Sequence, residues 1–138
     1  MLHRLTGRRA VTKVLLVDDE EVARYLVGQL LPRSRYSLRT AISGRQGLEL
    51  LGVERPDIIL LDLNMPGMSG FEFLSRVRAS PGLSTIPVII ITSAFLGADD
   101  RHRLRDVAGV IAKSHLSAAA LDAAIQSALG PPVAAVAE

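Results

Sequence analysis

Three short aliphatic runs, Val14–Val17, Ile58–Leu61 and Val88–Ile91, constrain this chain more than anything else in it. None contains a polar residue, so none fits a strand with one face in water. Strands buried on both faces belong to parallel sheets sandwiched between helices. The same runs fall far short of the ~20 apolar residues needed to cross a bilayer. Each is followed by a stretch with helical spacing, so the chain reads as strands alternating with helices.

The first strand is expected at Lys13–Asp18. After it, Val22, Leu26 and Leu30, flanked by Ala23 and Val27, make a helical stripe that stops at Pro32. A more polar second strand follows at Ser37–Ile42. Ser43 and Gln46 then form a capping box for a helix reaching about Gly52. Pro56 introduces a third strand, Asp57–Asp62. Ser69 and Glu72 cap a helix expected to turn Phe71, Leu74 and Val77 inward and to end at Ser80–Gly82. Pro87–Thr92, a short charged helix at Asp99–Val107, and Gly109–Lys113 come next. Ser117–Leu129 is the closing helix, stopped by Gly130 and two prolines. Residues 1–12 are expected to be a flexible lead, 13–130 the folded domain and 131–138 a disordered tail.

The chemistry of the strands orders them. Runs 1, 3 and 4 are uniformly apolar and belong inside. The second strand carries Arg39 and Thr40 and the fifth is short, so both suit edges. The expected fold class is therefore α/β, a flavodoxin-like doubly wound (βα)5 domain with a parallel sheet of order 2-1-3-4-5. In that arrangement ligands gather at the carboxyl ends of strands 1 and 3, where the winding reverses.

That is where the polar residues collect. Strand 1 runs into Asp18, Asp19, Glu20 and Glu21, strand 3 into Asp62, strand 4 into Thr92 and Ser93, and strand 5 into Lys113. Carboxylates this close repel, and one must take up a proton unless a cation intervenes. Two or three carboxylates with a backbone carbonyl and water are ligands that Mg²⁺ prefers. A metal, a hydroxyl and an ammonium can neutralise phosphoryl oxygens while one carboxylate acts as nucleophile. Glu20 and Glu21 read only as acids favoured at a helix start.

The segments Val17–Glu20 (VDDE) and Asp62–Gly70 (DLNMPGMSG), the strand end Ile91–Ser93 and Lys113 resemble a response-regulator receiver domain of two-component signal transduction, over about residues 13–129. The resemblance implies that Asp62 accepts a phosphoryl group from the phospho-His of a sensor histidine kinase or a histidine phosphotransfer protein, with Mg²⁺ as cofactor. It implies Asp18, Asp19, Asp62 and the Asn64 carbonyl as metal ligands. It implies Thr92, with Ser93 beside it, as the phosphoryl-binding switch and Lys113 as its partner. A phosphorelay module is then expected, switching a surface for a downstream protein and open to homodimerisation, not an enzyme with a substrate of its own. Two positions depart from the family. Ser114 stands where a proline usually follows the lysine, and Val110 where an aromatic ring usually couples to the threonine.

Other functions fit less well. An FMN carrier needs a Ser/Thr/Gly loop after strand 1 for the phosphate, and this chain has DDEE there. A haloacid-dehalogenase-like phosphatase places its nucleophile at strand 1. A receiver-like interaction module working without phosphorylation is the alternative, and the intact acidic set weighs against it. With no cysteine there is neither disulfide nor thiol chemistry. Net charge is only +2 and aromatics are 4%, so the scattered arginines read as solvated helix faces and direct nucleic-acid binding is not expected. His3, His102 and His115 lack the spacing of a metal site. No secretory signal or membrane segment is seen, and a cytoplasmic location is expected.

Overall fold

The computed structural model describes residues 11–130. Five strands, β1 (Thr12–Val17), β2 (Tyr36–Ala41), β3 (Ile58–Leu61), β4 (Val88–Thr92) and β5 (Gly109–Ala112), form one parallel sheet in the order β2-β1-β3-β4-β5. The helices α1 (Glu21–Leu30), α2 (Gly44–Val53), α3 (Gly70–Ala79), α4 (Ala98–Arg103) and α5 (Ala118–Leu129) alternate with them. The expected order of strands is the observed one. Thr12, placed in the lead by the sequence pattern, pairs with Tyr36 as the first residue of β1; the remainder of the expected lead, up to residue 10, and the expected tail lie outside the described residues.

The central strands are buried throughout, and alternate residues feed two cores. Leu15, Val17, Ile59, Leu61, Val88 and Ile90 face a core closed by Leu51 of α2 and Phe73, Leu74 and Val77 of α3. Val14, Leu16, Ile58, Leu60, Ile89 and Ile91 face another, closed by Val27 of α1 and Leu121 and Ile125 of α5. Each buried aliphatic side chain contributes about 1.5–3 kcal/mol of transfer free energy, so the sheet interior is the main source of stability. Right-handed crossovers explain the division of helices. The chain goes out from β1 to β2 and then doubles back past β1 to β3 and β4, which puts α2 and α3 on the face opposite α1, while α5, which follows the last strand and makes no crossover, packs on the α1 face.

Local capping follows the sequence. The hydroxyls of Ser43, Ser69 and Ser117 accept the backbone N–H of Gln46, Glu72 and Ala120 at 3.1, 3.2 and 3.0 Å. Gly130, at φ +83°, ends α5 in a conformation that suits glycine.

The inward faces of two helices differ from expectation. On α1 the buried residues are Ala23 and Val27, with Leu31 just beyond, while Val22 is 78% and Leu26 40% exposed. Two adjacent stripes are apolar, and the one with the smaller side chains, Ala23, Val27 and Leu31, is the one that faces the sheet. The Arg24 guanidinium donates to the Asp18 carbonyl at 2.9 Å, which holds that rotation. On α3 the buried aromatic is Phe73, whereas Phe71 is only partly covered and lies beneath the Arg103 guanidinium, 3.8 Å from the ring centre. α4 stops at Arg103 rather than reaching Val107. Among the described residues no helix is long and apolar enough to cross a membrane.

Candidate functional site

Asp18, Asp62, Thr92 and Lys113 all lie at the carboxyl ends of strands, because each terminates or directly follows one. β1 and β3 are neighbours, with Val17 opposite Leu61, so the residues after them are brought side by side. Asp18, Asp19 and Asp62 each offer a carboxylate oxygen, and these oxygens lie within 4.8 Å of one another. Asp18 and Asp62 are buried, at 1% and 3% exposure, as is Thr92. Buried polar groups of this kind need partners.

The partners are unequal. Lys113, in the single 3₁₀ turn Lys113–His115 that follows β5, reaches back over the sheet. Its ammonium lies 3.0 Å from Asp18 Oδ2 and 3.7 Å from Asp62 Oδ1. Its shortest contact, 2.5 Å, is to Glu20 Oε1. Burial pulls the ammonium down, but hydrogen bonds to Glu20 and Asp18 and the charges of Asp18 and Asp62 outweigh it and hold its pKa above the usual lysine value. Hydrogen bonding from Lys113, and its charge, hold the Glu20 carboxyl below the ordinary range. Glu20 therefore does more than start a helix. It carries no capping bond, and its side chain is paired instead with Lys113.

Asp62 receives less help. Burial first, then the charge of Asp18 and to a lesser degree that of Asp19, raise its carboxyl to about 6, against the lowering effects of Lys113 and the Asn64 backbone N–H. Asp19 Oδ1 is buried with no hydrogen-bond partner. An orphaned buried oxygen beside two further carboxylates is a donor set short of a cation. It fits a hard divalent metal, which takes oxygen ligands.

The remaining expected site residues fall around this centre. Thr92 Oγ1 accepts the Ala94 N–H at 3.1 Å, tying the strand end to the loop after it. Ser93 is exposed and the Asn64 side chain is exposed. Phe95 is 90% exposed, and Val110 at 45% exposure leaves no buried ring on β5 to follow a movement of Thr92.

The loop carrying Asp62 into α3 is shaped by two glycines. Gly67 sits at φ +76°, where a side chain is strained. Gly70, whose N–H donates to the Leu63 carbonyl at 2.9 Å, presses its backbone against Asp62. A Cβ there would stand 2.3 Å from the Asp62 carbonyl oxygen and 2.6 Å from Leu63 Cα, both backbone atoms that cannot swing aside. Spacing does not reveal this requirement, although a glycine at the first position of a helix is the residual signal. Gly70→Ala is expected to destabilise the fold by about 2–3 kcal/mol in urea titration, as overpacking does. A loss of less than about 0.5 kcal/mol, the scale of a neutral surface change, would refute the close approach.

Comparison with known proteins agrees with this geometry. The family model described as response regulator receiver domain matches residues 14–126. The two-component response regulator ORR3 of Oryza sativa subsp. japonica is 42% identical over 81 residues, which is 58% of this chain and 62% of that protein. Sporulation initiation phosphotransferase F of Bacillus subtilis is 38% identical over 81 residues, 59% of this chain and 64% of that protein. Both alignments span less than two thirds of the curated relative. Among solved structures, chemotaxis protein CheY4 of Vibrio cholerae superposes with a TM-score of 0.79 at 30% identity, covering 87% of this chain and all of that one. The Mn²⁺-bound form of response regulator Rcp1 superposes with a TM-score of 0.69 at 28% identity, covering 86% of this chain and 90% of that one.

Proposed function

This chain belongs to the response regulator receiver domain family, and from that premise we propose that Asp62 is its phosphoacceptor. The domain is a phosphoacceptor module of phosphorelay signalling. The observation that carries the assignment to Asp62 is its placement. Of the two buried carboxylates it is the one, at the end of β3, that Lys113 engages less, at 3.7 Å against 3.0 Å for Asp18, and one of its oxygens lies within 4.8 Å of those offered by Asp18 and Asp19.

Mg²⁺ is the proposed metal, held by Asp18, Asp19, Asp62 and the Asn64 carbonyl. When bound, it supplies positive charge for the carboxylates and for the non-bridging phosphoryl oxygens. The chain's own residues do the rest. A carboxylate oxygen of Asp62 forms a bond to phosphorus. The bond to the leaving group, the imidazole nitrogen of a phosphohistidine, breaks with its electron pair. Lys113 neutralises the transferred oxygens, and Thr92, with Ser93 beside it, donates a hydrogen bond. Thr92 Oγ1 accepts the Ala94 N–H while its own O–H stays free to donate, so any movement of the hydroxyl toward the phosphoryl group draws the loop after β4 with it.

The donor is proposed to be a sensor histidine kinase or a histidine phosphotransfer protein, and the setting cytoplasmic. The folded unit is residues 12–130, one residue longer at its start than the sequence pattern indicated. The output is a surface recognised by a downstream protein or a second copy of the chain. It is reached through the loop after β4, since Val110 cannot act as a swinging ring.

Incubation with acetyl phosphate and Mg²⁺ is expected to add one phosphoryl group, detected by intact-mass spectrometry and mapped to Asp62 by peptide analysis. Chelation should abolish it. Label on another residue, or equal uptake without metal, would overturn the assignment.

A further inference from the structure

Bond formation between Asp62 and phosphorus makes no use of Glu20, yet the contact between Glu20 and Lys113 is the shortest the lysine makes. At 2.5 Å it is closer than Asp18 at 3.0 Å and much closer than Asp62 at 3.7 Å. The lysine side chain is 15% exposed, while that of Glu20 is 60% exposed. Glu20 is thus the exposed one of the three carboxylates that the ammonium meets, the side chains of Asp18 and Asp62 being 2% and 4% exposed. Its backbone is fixed there, because its N–H donates to Asp18 Oδ1 at 2.9 Å. The Arg24 guanidinium donates to the Asp18 carbonyl in the same turn.

We propose that Glu20 is a positioning residue that latches Lys113 in the unphosphorylated domain, so that an arriving phosphoryl group must displace the carboxylate to reach the ammonium. The inference rests on Asp62 being the acceptor. Before transfer, Glu20 stabilises the lysine at the mouth of the site. As the bond from Asp62 to phosphorus forms and the bond to the leaving group breaks, Lys113 exchanges the carboxylate for phosphoryl oxygens. The latch therefore stabilises the starting state but not the transition state, and it slows uptake. Hydrolysis of the acyl phosphate begins and proceeds with Lys113 already on the phosphoryl group. Glu20 is released throughout, and that rate is untouched.

A nearby negative charge without a latch would also slow an anionic donor, and the two ideas separate by reach. Glu20→Gln removes the charge. Glu20→Asp keeps the charge but draws it back by one methylene, while Asp18 anchors the lysine. Second-order rate constants for uptake from acetyl phosphate in saturating Mg²⁺, followed by intact mass, are expected to rise about two- to fivefold in both variants, the range an exposed ion pair of up to ~1 kcal/mol allows. Hydrolysis after donor removal should be unchanged. Lys13 and Lys113 are the only lysines, so side-chain ¹⁵N spectra of the metal-free protein provide a second readout: the Lys113 signal should shift in both variants and that of Lys13 in neither.

Uptake by Glu20→Asp at the wild-type rate, with Glu20→Gln faster, would reduce the effect to simple repulsion and overturn the latch. Equal uptake in all three proteins would overturn it as well, as would a parallel change in hydrolysis. Should none of the three take up label, the reading of Asp62 as acceptor falls, and the latch with it.

Discussion

Asp62→Asn is expected to take up no phosphoryl group and, in metal-free buffer at about pH 7.5, to be more stable than the wild-type domain by about 1–2 kcal/mol. The cause is the raised carboxyl. Asp62 titrates near 6 in the fold against 3.8 for the unperturbed group, first through burial and then through the charge of Asp18. A carboxyl whose folded pKa is raised favours folding while it is protonated. That advantage is complete below the unfolded value and is lost as pH climbs through the folded one. At neutral pH the wild-type domain therefore carries a buried, poorly compensated charge. Two pKa units correspond to about 3 kcal/mol, reduced here because water reaches the mouth of the site. Asparagine keeps the shape and removes the charge. Urea titrations should show the gain at about pH 7.5 and its disappearance near pH 4, where the native carboxyl is neutral too. A constant difference across that range would mean that the site's electrostatics are not its cause.

The legible and illegible parts of this molecule divide along a physical line. Continuous aliphatic runs can only be central strands, so the order of the sheet and the edge where Asp18, Asp62, Thr92 and Lys113 meet could be read directly from residue types. The choice between Ala23 and Val22 for the inner stripe of α1 could not. Both stripes repeat at helical spacing, and the rotation is set by an arginine reaching a carbonyl six residues back. Phe71 and Phe73 were indistinguishable for a similar reason, since each lies on an apolar arc of α3 and only the neighbouring Arg103 gives the outer ring its cover. Glu20 was hidden by its position. An acid at a helix start already has an adequate local explanation, and its partner is 93 residues away. Long-range side-chain choices of this sort depend on packing, which periodicity does not encode.

The stability advantage of Asp62→Asn should reverse when metal is supplied. A divalent cation that binds the native carboxylates and not the unfolded chain stabilises by RT ln(1 + [L]/Kd), about 1.4 kcal/mol at ten times Kd and about 2.7 kcal/mol at one hundred times. For a domain of this size each kcal/mol moves Tm by about 3–5 °C. The wild-type protein should therefore melt several degrees higher in saturating Mg²⁺, as the repulsion among Asp18, Asp19 and Asp62 becomes coordination and the orphaned Asp19 oxygen gains a partner. Asp62→Asn, with one anionic ligand fewer, should gain much less and fall below the wild-type protein. Asp19→Asn should lose the metal response in the same way. Acid should abolish it too, since protons compete for Asp62 once pH drops below about 6. Thermal melts of the three proteins, with chelator and with Mg²⁺, test the crossover. If Asp62→Asn stays the more stable protein at every metal concentration, these carboxylates do not hold the ion, and the stabilising cation must be sought elsewhere in the domain.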